Sequence, residues 1–299
     1  MKLASETAAV AVHALGRCFA GVQPQGPWQW QCVAQNGALM PVRASLAEGF
    51  LHLDCLPATP PAAAELCPEL LARALFRNSR LSAGVGLAFR SGNDLRLCAD
   101  IAVLDEAQLL AGIDGALHGF HLALPLLSAP DAEQSDIQPL RTAPAAPGFA
   151  ERIRESGWTF TERGPGDFSA QLDAPAAPPA TIRVGGDGVF FAVDLARVPR
   201  AAETSQQAIA AFLLTTCGSL RLVRACASKT SEHDLFALQV SLPAIATPDE
   251  VGHGLSVLSL AYRLCAREVA FLLDEDAARC YLGAREFSSN PQSTEQKEN

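Results

Sequence analysis

Charge is scarce in this sequence, at 18% of residues, and positive charge is the scarcer kind. There are 23 Lys and Arg against 32 Asp and Glu, a formal net charge of −9. Such a balance leaves phosphates unneutralised and argues against a nucleic-acid binder. Disorder is excluded as well, because 49% of the residues are hydrophobic and can build a core. Long uninterrupted apolar runs are absent. The most apolar late segment, "GLSVLSLAYRLCAREVAFLL", is broken by Arg263, Arg267 and Glu268, and reads as a buried helix rather than a membrane span. The first residues, "MKLASETAAVAVHALGRCF", hold no continuous apolar stretch, so no secretory signal is expected. The nine cysteines, at 18, 32, 55, 67, 98, 217, 226, 265 and 280, form no C-x-x-C pair. Most lie inside apolar runs, where Cys acts as a small hydrophobe, and a reducing cytoplasm is the expected compartment.

Catalytic motifs are missing too. No G-x-S-x-G and no H-E-x-x-H occur. "VGGDGV" (184–189) lacks the Lys-Ser/Thr of a phosphate loop and reads as a β-turn. His118 and His121 stand one helical turn apart, a spacing that suits a metal, but nothing in that helix completes the ligand set. The expectation is therefore no catalytic residue, no metal and no cofactor.

What is present is a repeat. "GFLHLD" begins at Gly49 and "GVFFAVD" begins 139 positions later, at Gly188. The same offset sets Val85 and Leu87 on Arg224 and Cys226, and Leu97, Ala99 and Ile101 on Phe236, Leu238 and Val240. Strand faces alternate with period two, so one offset that keeps three runs in phase points to a fold built twice. The fold class is α+β: two tandem α-β-β-β-α-β-β-α units, each an antiparallel sheet packed by helices, able to form an intramolecular pseudo-dimer. The first unit spans 1–124, with its last helix ended by Pro125. A Pro/Ala-rich linker covers 125–147, the second unit 148–285, and a disordered tail 286–299. Several signals are local. Thr247-Pro248-Asp249-Glu250 spells a helix start. Val251, Leu255, Leu258, Tyr262, Cys265, Val269 and Leu272 form a packing stripe behind it. Gly218 fits a residue just past a helix end. Gly185-Gly186-Asp187 can turn a hairpin.

"FLLTTCGSLRLVRACASKTSEHDLFALQVSL" followed by "TPDEVGHGLSVLSLAYRLCAREVAFLL" resembles the helix, β-hairpin and terminal helix of the type III secretion chaperone-like superfamily, which includes CesT-like and YbjN-like proteins. "LLARALFRNSRLSAGVGLAFRSGNDLRLCADI" occupies the same place in the first unit. The resemblance implies a cytoplasmic, non-catalytic chaperone that uses no nucleotide and binds an extended segment of a secreted effector or another secretion-related protein. It also implies a homodimer, which two units in one chain would replace with a monomeric pseudo-dimer. A YbjN-like regulatory or scaffold protein without a secretion client is the alternative, and an enzyme of unrecognised type the third.

Three residues are candidates for partner binding. Trp28 and Trp30 fall on one face of a strand with Cys32, either as core anchors or as an aromatic surface for a peptide. Arg224 stands on a face otherwise made of Leu220, Leu222 and Cys226. It either pairs locally or anchors a partner at a sheet surface or a unit–unit interface. The acidic balance favours basic flanks on the bound segment.

Overall fold

A computed structural model describes residues 2–34, 40–55, 68–79, 81, 84–89, 95–128, 148–185, 188–243 and 246–289. The first unit runs α1 (Lys2–Cys18), β1 (Phe19–Gly26), β2 (Gln29–Ala34), β3 (Pro41–Ala47), β4 (Phe50–Cys55), α2 (Pro68–Asn78), β5 (Val85–Phe89), β6 (Leu95–Ala102) and α3 (Glu106–Ser128). The second runs α4 (Phe149–Glu155), β7 (Phe160–Gly164), β8 (Asp167–Ala170), β9 (Ala180–Gly185), β10 (Gly188–Pro199), α5 (Glu203–Ser219), β11 (Val223–Lys229), β12 (His233–Leu242), α6 (Pro248–Phe271) and α7 (Glu275–Ser289). Each unit forms a six-stranded antiparallel sheet, ordered β1-β2-β3-β4-β6-β5 in the first and β7-β8-β9-β10-β12-β11 in the second. The protein is α+β, two tandem units of one topology.

Each unit has four strands before its middle helix, one more than expected. In the first unit the extra strand is β1. It is an edge strand, exposed along most of its length and interrupted by Pro24, so it carries no apolar alternation. In the second unit β9 and β10 pair from Gly185 to Gly188, the hairpin the glycines suggested. The equivalent hairpin, β3–β4, turns through Glu48 and Gly49 at φ 52° and 81°. Two positive values are what a two-residue type I′ turn requires.

The spacing between the units also needs correction. Core-facing Leu51, Leu53 and Cys55 match Val189, Phe191 and Val193, an offset of 138, not 139. Val85 and Leu87 match Val223 and Ala225 at the same 138. Leu97, Ala99 and Ile101 match Leu238, Val240 and Leu242 at 141, because the β11–β12 hairpin is longer. An offset of 139 inverts the faces of the first two runs. It makes Arg224 the counterpart of Val85, whereas the strand pairing makes it the counterpart of Gly86.

Helix ends follow local chemistry. The Thr247 hydroxyl accepts from Glu250 N at 3.3 Å, and the Glu250 carboxylate accepts from Thr247 N at 2.7 Å. This is the reciprocal cap that the sequence spells. The stripe behind it is buried at Val251, Leu255, Leu258, Cys265, Val269 and Leu272, and α6 lies across β10 and β12. The first unit's last helix continues past Pro125 to Ser128; a proline near a helix C-terminus removes only one late hydrogen bond. Residues 286–289, expected in a disordered tail, belong to α7, whose start is capped by Asp274 accepting from Asp276 N and Ala277 N. Residues 129–147 and 290–299 of the expected linker and tail lie outside the described residues.

The units meet around a pseudo-two-fold seam. The α2 helix packs on β11 and α5, and α5 packs on β5. Equivalent groups make reciprocal bonds: Gly84 N donates to Ser241 Oγ at 2.9 Å, and its counterpart Leu222 N donates to Asp100 Oδ2 at 3.0 Å. Both donors sit at positive φ, 80° and 62°. The Asn78 side chain donates to Leu87 O at 2.9 Å and to the equivalent Ala225 O at 2.8 Å, and accepts from Leu87 N at 2.6 Å. Gly218 lies in the last turn of α5, not beyond it. Its role is close approach: a Cβ there would sit 1.7 Å from Phe89 O.

Two outcomes test this packing. Gly218→Ala should lower unfolding stability by about 3 kcal/mol in urea titrations, since the obstructing atom is backbone. Burial raises the Cys32 and Cys55 thiols from 9.0 to about 12, and Cys226 and Cys265 to about 11. A raised thiol stays protonated in the folded chain while the unfolded chain ionises, so stability is intact below pH 9.0 and falls as pH rises from there towards 12. Denaturation midpoints across that window should decline, and less steeply in Cys32→Ala.

Candidate functional site

A groove of about 690 Å³ opens between α1 and the tip of the β1–β2 hairpin. Ala8, Ala9, Val12 and His13 form the helical wall, and Gly26, Pro27, Trp28 and Trp30 form the other. The small alanines leave the space, and Val12 is 44% exposed over it. The hairpin tip follows from its residues. Pro27 pre-sets the first central position of the turn, and Trp28 takes the second at φ 65°. Leu46 N then donates to Trp28 O at 2.9 Å and ties the tip to β3.

The second unit shows what that turn ordinarily wants. "GPWQW" (26–30) corresponds to "GPGDF" (164–168) at the offset of 138. Gly166 holds φ 75°, and Val184 N donates to Gly166 O at 3.0 Å, the equivalent bond. Glycine adopts this conformation freely, while a bulky L-residue is strained in it by about 1–2 kcal/mol. Trp28 therefore occupies a glycine position, and the residue is 43% exposed. Glu48, Ala176 and Leu222 also hold positive φ, but of the four Trp28 is the aromatic, and a strained surface aromatic is grounds for a functional hypothesis. Trp30 corresponds to Phe168, which is buried against Phe149 and Phe160 at ring distances of 5.8 and 5.9 Å. Carried into the helices, the offset of 138 sets Ala11 against Phe149, and α1 reaches back to Lys2, whereas α4 begins at Phe149. Among the described residues, both helices pack on their hairpins, but only α1 carries further turns ahead of that contact.

Trp28 and Trp30 are thus brought together in one groove, but not on one strand face. Trp28 is in the turn before β2, while Trp30 points inward and is 7% exposed. Helical spacing sets Ala8 and Val12 on one apolar face of α1, but periodicity says which helical face is apolar and not what stands opposite. At one end of the groove His13 Nδ1 meets Glu106 at 2.9 Å, and Arg17 meets the same carboxylate at 3.4 Å.

No protein-family model matches the chain, and no curated protein sequence matches it.

Arg224 lies elsewhere, buried to 5% exposure in the seam. Its Nε donates to Gln239 Oε1 at 2.9 Å, its Nη1 crosses to Val85 O at 2.6 Å, and its guanidinium rests 5.7 Å from the Phe190 ring centre. Desolvation by burial lowers its pKa below the usual guanidinium value. Its face is not the apolar one: Val223, Ala225 and Ala227 point to the core, and Arg224 points to the other unit. A second polar group joins the units close by. Arg221, a donor only, contacts His52 Nε2 and donates to Ala47 O at 3.1 Å, while His52 Nδ1 meets Asp100 at 2.5 Å. Three cations of the second unit also stand over rings of the first: Arg221 over Phe50, Lys229 over Phe76 and Arg285 over Phe89, at 5.5, 4.6 and 5.3 Å. Among the described residues, no three His, Cys, Asp or Glu converge in a way that could hold a metal ion, and His118 and His121 are exposed on α3.

Asn78→Ala strips three backbone groups of a partner, and Arg224→Ala strips Val85 O. Each should lower unfolding free energy by about 3 kcal/mol in urea titrations. Unchanged stability in both would mean that these bonds do not hold the seam.

Proposed function

We propose that this protein is a non-catalytic polypeptide-binding chaperone or adaptor, working in a reducing cytoplasm. It holds an extended apolar segment of another protein in the groove between α1 and the β1–β2 tip. The observation that carries this reading is Trp28: a strained, half-exposed aromatic residue fixed over an apolar groove where the equivalent turn uses glycine. Its likeness to the secretion chaperones in element order makes a secretion-related client the natural occupant.

Groove binding is favoured over addition of a strand to a sheet edge. Outer edge β1 carries Pro24 and two register shifts, and outer edge β7 is short, shifted in register, and bears Glu162 and Arg163. Both are blunted in the ways that discourage pairing. The inner edges β5 and β11 are occupied by Asn78 and Arg224 at the seam. No described helix is long and apolar enough to cross a membrane.

Titration of the full chain with a fluorescein-labelled, extended peptide of alternating leucine and serine, kept below the concentration at which it self-associates, tests the reading by anisotropy. Val12→Gln removes apolar contact at an exposed helical position and should leave unfolding within about 0.5 kcal/mol while weakening the peptide about tenfold. No binding by the wild type, or equal binding by the variant, would overturn it.

A further inference from the structure

The lining of the groove is mostly apolar, and charge enters from the residues next to it. Tryptophan presents the best ring face for a cation, and Trp28 offers its indole at the mouth of the groove. One helical turn before Ala9, on the same face of α1, stands the exposed Glu6. The basic side chains at the other end, His13 and Arg17, are both turned onto Glu106. The chain as a whole carries −9. Its own halves are joined by three cations laid over phenylalanines, so cation-on-ring contact already serves this fold as a means of association.

Resting on the groove reading above, we infer that the groove selects a polypeptide segment in which an arginine or lysine adjoins an apolar side chain: the apolar group fills the space beside Val12 and Trp30, and the cation lies on Trp28 towards Glu6. Trp28 then acts as a selector as well as a hydrophobic wall. That role accounts for a tryptophan where the turn asks for glycine, since any apolar residue elsewhere on the tip would serve to fill space. Acidic segments are repelled by the same arrangement, and arginine is preferred to lysine because its planar head stacks on the indole.

The experiment compares three labelled peptides with the full-length protein: leucine alternating with serine, with arginine and with glutamate. The arginine peptide should bind about tenfold more tightly than the serine peptide, and the glutamate peptide more weakly than either. Trp28→Gly restores the residue found in the equivalent turn, so it should melt at or above the wild-type temperature, which separates loss of recognition from loss of fold. It should reduce the arginine-over-serine preference to near unity, and Glu6→Gln should reduce it in part. Added salt should shrink the preference in the wild type. If the serine peptide binds and arginine adds nothing, or if Trp28→Gly keeps the full preference, cation selection is overturned and the groove reading stands. If none of the three peptides binds, both fall.

Discussion

The arrangement depends on how two sheet edges are hidden. A six-stranded open sheet has two edges, each a row of unpaired backbone groups, and two such sheets in one chain have four. Here β5 and β11 are turned towards each other, and the middle helix of each unit covers the edge strand of the other. Asn78 stands at the centre and serves the same carbonyl of both strands, Leu87 and Ala225. With this contact in place, the helices that flank the outer strands are free to differ between the units. The first unit uses that freedom to extend α1 over its outer hairpin, and the groove results.

The seam is polar for an internal interface. Arg224, Gln239, Asp100, His52 and Asn78 are all buried or partly buried there. Apolar contact would hold two surfaces together in many orientations, whereas directed bonds from Gly84 N to Ser241 and from Leu222 N to Asp100 admit one. The cost is desolvation of a guanidinium, offset by bonds to Gln239 and Val85 and by the Phe190 ring. A fixed orientation of the halves also fixes where the groove stands relative to the acidic remainder of the molecule.

Most of the architecture was legible because most elements bury one face. The Thr247 cap and the α6 stripe could be read residue by residue, and the doubling of the fold was visible before its register. The register itself was not. A repeat offset wrong by one residue still aligns apolar runs, but it exchanges inward and outward faces, and "LRLVRACAS" is apolar enough on both faces to hide the error. Strand β1 was illegible because an exposed edge needs no alternation. Gly218 looks like a helix terminator, and only the approach of the Phe89 backbone shows otherwise. The groove was half legible: the tryptophans drew attention, but the meaning of Trp28 lay in its backbone angle, which tryptophan does not encode. Gly-Pro at 26 and again at 164 was the available signal.

Gly86 and Arg224 face each other across the seam as counterparts, with a Cβ on Gly86 falling 3.2 Å from the Cβ of Arg224. In a dimer of two identical chains, a residue on the axis meets a copy of itself. Two arginines there would collide and repel, and two glycines would leave a hole. Joining the halves in one polypeptide lifts that rule, so a large cation can be set against the smallest residue. At this point of the seam each half is thereby matched to the other and not to a copy of itself.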